Sequence, residues 1–276
     1  MIPFPFAYIT PDTLGEAADA YVDFENRGLK PLYFSGGTEI ITMGRVNSLR
    51  FDAVIDLKSI PQMKGFYSSG GSFSLGGAES LNAVACWNGF PLLSKCCQRI
   101  ADHTAQCKIT LGGNIAGTVI YHEAVLALML AEARAELYGP DGGRTVNMNA
   151  LFNPSLAMNR GEFIVRFSFE RKYADLPFVH VKHVASEKIG YPLFTLAAMI
   201  KDGALEVAIS GLYRHPARFR FPLAAGDSGL ESLPGLLHNQ IVEPPLNDTG
   251  GSADYRLFRL EGALKDAMTE LGGFAK

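Results

Sequence analysis

The chain has 276 residues, 47% of them hydrophobic, which is enough for one large domain or two moderate ones with cores of their own. A net charge of -3 and a pI near 6.1, with no cluster of lysines and arginines, exclude a nucleic-acid surface. Met1–Phe6 lacks the basic and long apolar regions of a signal peptide, and the longest apolar run, Ala124–Ala131, is too short to span a bilayer, so a cytoplasmic protein is expected.

In chain order, Thr13 reads as a helix cap with Glu16 at the capping-box position. Leu14, Ala17, Ala18 and Tyr21 follow at helical spacing, and Gly28 is a stop. Leu32–Phe34 reads as a buried strand. It runs into Phe34-Ser35-Gly36-Gly37-Thr38-Glu39, a turn placed before a second apolar core segment, Ile40-Ile41. Ala53–Leu57 and Phe73–Leu75 read as further strands, with Ser69-Gly70-Gly71 as the turn between them. Ser80 is placed to cap a helix through Trp87, and Pro91 opens another to about Ala101. A second glycine stretch follows, Thr110-Leu111-Gly112-Gly113-Asn114. After it, Glu123–Ala133 is apolar on nearly every side, the pattern of a helix buried inside the protein.

The two glycine stretches share one make-up: a hydroxyl, paired glycines and polar neighbours. Paired glycines allow positive φ and let backbone approach a ligand with no Cβ in the way. Successive exposed N–H groups in such turns form a concave anion site. Either stretch alone is more often an ordinary turn. Together they suit one diphosphate gripped from two sides, as in a dinucleotide cradle. Neither has the G-x-G-x-x-G pattern of a Rossmann site.

Cys86, Cys96 and Cys97 fall on apolar helical positions, where free cysteine acts as a small hydrophobe, and with Cys107 they form no C-x-x-C pair, so no iron–sulfur cluster is expected. The histidines show no H-x-x-x-H spacing, and no metal site is expected. Arg134–Tyr138 and Arg144–Met148 flank the hairpin signal Pro140-Asp141-Gly142-Gly143, and Glu162–Phe169 alternates like a half-buried strand. From Phe178 the character changes. Phe178–Val184, Leu193–Ile200 and Ala204–Ser210 read as three strands, the last two joined at Asp202-Gly203. If the first of these is regular, His180 and Lys182 share a face. A stretch rich in Pro, Gly and Asp (221–251) precedes an amphipathic helix with Leu257, Leu260, Leu264, Met268 and Leu271 on one side. The pattern divides at about residue 173, with an α/β part before and a smaller α+β part after.

Several stretches, in order, carry a resemblance: Tyr33-Phe34-Ser35-Gly36-Gly37-Thr38-Glu39-Ile40, Val54-Ile55-Asp56-Leu57 with Ile60-Pro61, Thr110-Leu111-Gly112-Gly113-Asn114, Gly143-Arg144-Thr145-Val146, and Ser252-Ala253-Asp254-Tyr255-Arg256. Through nearly its whole length the chain resembles the FAD-binding (medium) subunit of molybdenum hydroxylases, the group of xanthine dehydrogenase and aerobic carbon monoxide dehydrogenase. The resemblance implies an α+β fold. A two-subdomain FAD-binding domain of the vanillyl-alcohol-oxidase type (residues 1–173, subdomains about 1–55 and 56–173) is followed by a C-terminal flavoprotein domain (174–276) with a three-stranded antiparallel sheet plus helices. It implies that residues 33 to 40 wrap the diphosphate of a non-covalent FAD, with Thr110, Leu111, Gly112, Gly113 and Asn114 as the second loop. Glu123 stands where the family has an FAD-binding Asp, and a carboxylate there accepts from a ribose hydroxyl. Ile164 and Lys182 fall where the family has an apolar contact and a lysine near the flavin ring. A cation there favours electron density on the reduced ring.

The chain departs from the family in reading Ile120-Tyr121-His122-Glu123 for Pro-Xaa-Xaa-Asp, and Gln106-Cys107-Lys108 for Ile-Arg-Asn. The resemblance implies an electron-transfer role. A molybdenum-cofactor subunit and an iron–sulfur subunit would be partners, this chain would hold FAD, and NAD or another molecule would accept the electrons. No residue is needed as an acid or base. Two other readings stay open: a stand-alone flavin oxidoreductase, and a scaffold or maturation protein that has lost FAD.

Overall fold

The computed structural model describes residues 1–152, 155–184, 190–223 and 232–272. It opens with a parallel sheet of β1 (Ala7–Ile9), β2 (Pro31–Phe34) and β3 (Ala53–Asp56), in the order β1-β3-β2. β3 is buried throughout, as suits the centre of a parallel sheet. Between β1 and β2 runs α1 (Leu14–Asn26). The Thr13 hydroxyl accepts the Glu16 N–H at its start, and Gly28 takes positive φ just past its end. The Glu16 carboxylate reaches back to the N–H of Asp12, one residue short of the capping-box partner. Between β2 and β3 lies α2 (Thr38–Arg45). Ile40 and Ile41 therefore sit on a half-exposed helix, not in a second core segment.

The second sheet is antiparallel and five-stranded. β4 (Phe66–Ser69) and β5 (Ser72–Gly76) meet at Gly70 and Gly71, both at positive φ. That glycine turn joins these two strands to each other, so the strand at 66–69 was missing from the sequence pattern. Helices α3 (Leu81–Trp87), α4 (Pro91–Gln98), α5 (His103–Gln106), α6 (Leu111–Ala116) and α7 (Val125–Leu130) follow. β6 (Arg134–Gly139), β7 (Gly142–Asn147), α8 (Met148–Leu151) and β8 (Phe163–Glu170) complete the layer, in the strand order β4-β5-β8-β6-β7. Every residue of α7 is buried, but the helix is shorter than the apolar run at 123–133, because Glu132 takes positive φ just beyond it. Cys96 and Cys97 are buried, and burial pushes both thiols up, whereas Cys86 is exposed, against its apolar position in the pattern.

The third sheet holds four strands, not the expected three: β9 (Phe178–Val184), β10 (Pro192–Lys201), β11 (Ala204–Ser210) and β12 (Ala217–Pro222), in the order β12-β11-β10-β9. β12 alternates Ala217, Phe219 and Phe221 inward with Arg218 and Arg220 outward from the core. Prolines at both margins, Pro216 and Pro222, hid this alternation. The sheet is followed by α9 (Leu233–Gln240) and α10 (Ala253–Gly272). Side chains alternate across a strand, so the sheet has two buried faces. Leu196, Ala198, Leu205, Val207 and Ile209 pack with Leu260, Leu264, Ala267 and Leu271 of α10. Ala197, Met199 and Ala208 on the other face join the core cluster that contains α7.

Candidate functional site

The β2–α2 connection is three residues, Ser35, Gly36 and Gly37. Gly37 caps α2 in the left-handed region, φ +67°, and the Phe34 ring lies where its Cβ would be, 1.9 Å from that point. A Cβ on Gly36 would stand 2.2 Å from the Lys108 carbonyl oxygen and 2.9 Å from the Thr110 nitrogen. Only glycine lets this backbone touch the second glycine stretch.

That stretch is the start of α6. The Thr110 hydroxyl caps it, accepting the Gly113 N–H at 3.3 Å. Leu111 and Gly112 are buried, and the Gly112 N–H donates to the Gly77 carbonyl at 2.8 Å. Gly77 in turn lies against β8: its N–H donates to Val165, and a Cβ would meet the Ile164 carbonyl at 2.5 Å. A chain of close backbone approaches thus runs from Gly36 through Lys108–Thr110, Gly112 and Gly77 to Ile164. A further tie comes from Glu39 on α2, whose carboxylate accepts the Thr118 N–H (3.1 and 3.2 Å) and the Thr118 hydroxyl.

Two buried polar atoms here have no protein partner, Ser35 Oγ and Asn114 Oδ1, one in each glycine stretch. The N–H groups of Ser35, Gly36 and Gly37 also take no partner among the described residues. Buried polar groups are ordinarily satisfied, so such a convergence marks a place built for a polar ligand. The donors suit an anion, and with the Asn114 amide opposite they fit a diphosphate. Tyr33 faces elsewhere: its ring stacks on Tyr21 at 5.0 Å and tilts against Phe163 at 4.7 Å.

Behind the first stretch stands a network that the sequence reading missed. Lys58 Nζ lies 2.6 Å from Asp56 Oδ2, 3.1 Å from the Ser35 carbonyl and 4.4 Å from the centre of the Phe34 ring. The Tyr8 hydroxyl donates to Asp56. Burial pushes the Asp56 carboxyl up, but the hydrogen bonds from Lys58 and Tyr8 outweigh it and hold the group below its usual range. The bond to Asp56, with burial, pushes the Tyr8 phenol up to about 12. The available signal was an acid closing a buried strand beside the loop.

Glu123 and Lys182 meet each other. Lys182 Nζ lies 2.8 Å from Glu123 Oε2 and donates to the Arg99 carbonyl at 2.6 Å, while the Thr195 hydroxyl donates to Glu123 Oε1 at 2.5 Å. Burial pushes the Glu123 carboxyl up, against the opposing pull of Lys182 and Thr195. The pair joins α7's N-terminal approach to β9 and β10. Next to it, His122 Nδ1 lies 3.2 Å from the Asn114 carbonyl, tying the pair's neighbourhood to the second glycine stretch.

Three sheets, and two glycine stretches in close backbone approach that each carry a buried polar atom without a partner, make up the candidate site. Residues 4–169 match the family described as the FAD binding domain in molybdopterin dehydrogenase, and the chain belongs to that family. It is 26% identical over 156 residues to the carbon monoxide dehydrogenase medium chain of Hydrogenophaga pseudoflava, covering 55% of this chain and 53% of that one. To the xanthine dehydrogenase FAD-binding subunit of Escherichia coli O157:H7 it is 22% identical over 174 residues, covering 60% and 58%. The chain thus spans somewhat over half the length of the curated relatives it matches. In structure it resembles carbon monoxide dehydrogenase from Hydrogenophaga pseudoflava, with TM-score 0.85, 21% identity and 98% of each chain covered. Quinoline 2-oxidoreductase from Pseudomonas putida 86 gives TM-score 0.85 at 18% identity, covering 100% of this chain and 99% of that one. At these identities the likeness establishes the fold, a two-subdomain FAD-binding domain followed by an α+β domain. Among the described residues, no helix is long and apolar enough to cross a membrane.

Proposed function

We propose that this chain is the FAD-binding electron-transfer subunit of a multi-subunit molybdenum hydroxylase of the cytoplasm. The observation that carries the reading is the meeting of Ser35–Gly37 with Thr110–Asn114, each bringing one buried polar atom without a partner. Non-covalent FAD, when bound, supplies the capacity to take up and pass on electrons. The chain's own residues bind and orient. Phe34 through Ile40 and Thr110 through Asn114 hold the diphosphate, with Gly36 and Gly37 bringing N–H donors close. Tyr33 and Leu111 set the loops by packing behind them. Ile164 and Lys182 stand at the flavin ring and Glu123 at the ribose, with the ion pair tying the approach to α7 to β9 and β10. No side chain is needed to move a proton. The proposed domains are 1–173, with subdomains about 1–55 and 56–173, and 174–276.

In this reading an iron–sulfur subunit, itself served by a molybdenum-cofactor subunit, delivers electrons, and NAD or another acceptor removes them. Affinity purification of the full chain from its native extract tests it. A yellow preparation that releases FAD on heating and carries iron and molybdenum in partner chains is expected. A yellow protein free of both metals would favour a stand-alone flavin oxidoreductase. Colourless protein that takes up no added FAD would sink the electron-transfer role and favour a scaffold.

A further inference from the structure

Lys58 makes three contacts beside the first glycine stretch, one of them to a peptide group. Its ammonium lies 3.1 Å from the Ser35 carbonyl oxygen, 2.6 Å from Asp56 Oδ2, and 4.4 Å from the centre of the Phe34 ring. Asp56 is only 3% exposed, Tyr8 donates to the same carboxylate oxygen as the ammonium, and the Lys58 N–H donates to the other, so the ammonium has a fixed seat although its side chain is 44% exposed. A solvated lysine beside a carboxylate contributes little. This one is oriented by a buried partner and an aromatic face, and it spends its remaining donor on backbone.

The Ser35 carbonyl and the Gly36 N–H belong to the same peptide group. A trans peptide is planar, with its C=O and N–H pointing in opposite directions. Anchoring the carbonyl oxygen on Lys58 therefore turns the Gly36 N–H away from Lys58. That N–H has no protein partner among the described residues, and neither has that of Gly37, the next residue of the loop. A cation on the carbonyl oxygen also draws electron density from the peptide, so the N–H at the far end becomes a stronger donor. The Phe34 ring, pinned between Lys58 and the place of a Gly37 Cβ, packs against Gly37 in its left-handed turn. On the opposite side, Gly36 is backed by the Lys108 carbonyl and the Thr110 nitrogen, so the peptide cannot swing freely.

We infer that Lys58, seated by Asp56 and Tyr8, is a positioning residue of the cofactor site that aims and strengthens the Gly36 N–H as a donor to the FAD diphosphate. The inference rests on the reading of the glycine stretches as an FAD cradle. It assigns a function to a residue that touches no part of the expected cofactor by sequence and lies about twenty residues beyond the loop it controls.

The test is FAD binding by the full chain, followed through quenching of flavin fluorescence, together with the amide resonance of Gly36 in isotopically labelled protein. Lys58→Met is expected to weaken FAD binding about tenfold, the scale of losing one charge-assisted hydrogen bond. Lys58→Arg, which keeps a cation within reach of Asp56 and the carbonyl, is expected to stay within about threefold of wild type. The Gly36 amide should move downfield when FAD is added to the wild type and to Lys58→Arg, and should move much less in Lys58→Met. The double variant D56N/K58M removes the buried carboxylate's charge along with its partner and should reproduce the FAD loss of Lys58→Met in a chain with no stranded acid. If Lys58→Met lowers the thermal midpoint of the cofactor-free chain yet binds FAD as wild type does, with the same Gly36 shift, the positioning role is overturned and a purely structural one remains. Wild-type protein that binds no FAD would instead overturn the cradle reading, and this inference with it.

Discussion

Glu123 and Lys182 are each other's partners, 2.8 Å apart, with 4% and 3% of their side chains exposed. The resemblance had placed both at the cofactor as separate contacts. Removing one partner of such a pair leaves a charge stranded in the interior, whereas removing both replaces the pair with packing. Lys182→Met is therefore expected to lower the unfolding free energy by about 3–5 kcal/mol, and the double variant E123L/K182M by distinctly less. Urea titrations of the wild type, both single variants and the double variant measure the coupling. Additive losses would show that the two side chains act independently.

Ser35 offers a separation of stability from binding. Its hydroxyl is buried without a partner, so Ser35→Ala removes an unmet polar group and should leave the cofactor-free chain unchanged or up to about 1 kcal/mol more stable. The same substitution should weaken FAD binding by roughly five- to tenfold, because the donor is spent on the ligand. A parallel loss of stability and affinity would mean that the hydroxyl serves the fold.

Gly36→Ala and Gly37→Ala should fail differently. At Gly36 the new methyl would meet backbone atoms of residues 108–110, which can only part from the first stretch, so FAD affinity should fall more than tenfold. At Gly37 the clash is with the Phe34 ring, and the left-handed backbone adds about 1–2 kcal/mol of strain. Thermal unfolding without FAD should therefore register Gly37→Ala, and the flavin-binding assay should register both.

His180 supplies a pH dependence. Both of its ring nitrogens are buried without partners, and burial, then the charges of Arg99, Lys95 and Lys182, push its pKa down to about 4. The unfolded chain takes up this proton near 6.5, the folded chain only near 4. Between those values the unfolded state binds more protons, so stability contributed by the neutral ring is present above about 6.5 and lost as pH falls toward about 4. The loss amounts to about 3 kcal/mol. His180→Leu should flatten the profile, and denaturant titrations at about pH 7 and about pH 5 compare the two chains. Equal slopes in both would place the titration elsewhere.

What was legible in the sequence was local. The hydroxyls of Thr13 and Ser80 cap helices as their positions suggest, and the hairpin at 140–143 turns as its residues require. Alternation put His180 and Lys182 on one face of β9, and both sense Arg99 at the end of α4. The glycine stretch at 110–114 read as a loop because glycines are poor helix formers, yet Thr110 starts a short helix there. Two relationships were hidden because they are tertiary. The ion pair of Glu123 joins residues far apart in sequence, and Lys58 looks like any solvated lysine until Asp56 is seen to be buried beneath it. The fourth strand of the last sheet was locally encoded but masked by its flanking prolines.

The way α7 is covered bears on what can be made in isolation. The stretch by which the family is known stops at residue 169, but Val125–Leu130 take part of their shelter from Ala197, Met199 and Ala208, well beyond that point. A shortened product carrying the family stretch alone would present a greasy, wholly apolar helix to water and would clump with its copies. The span that the family's own pattern covers is thus smaller than the span that shelters this helix.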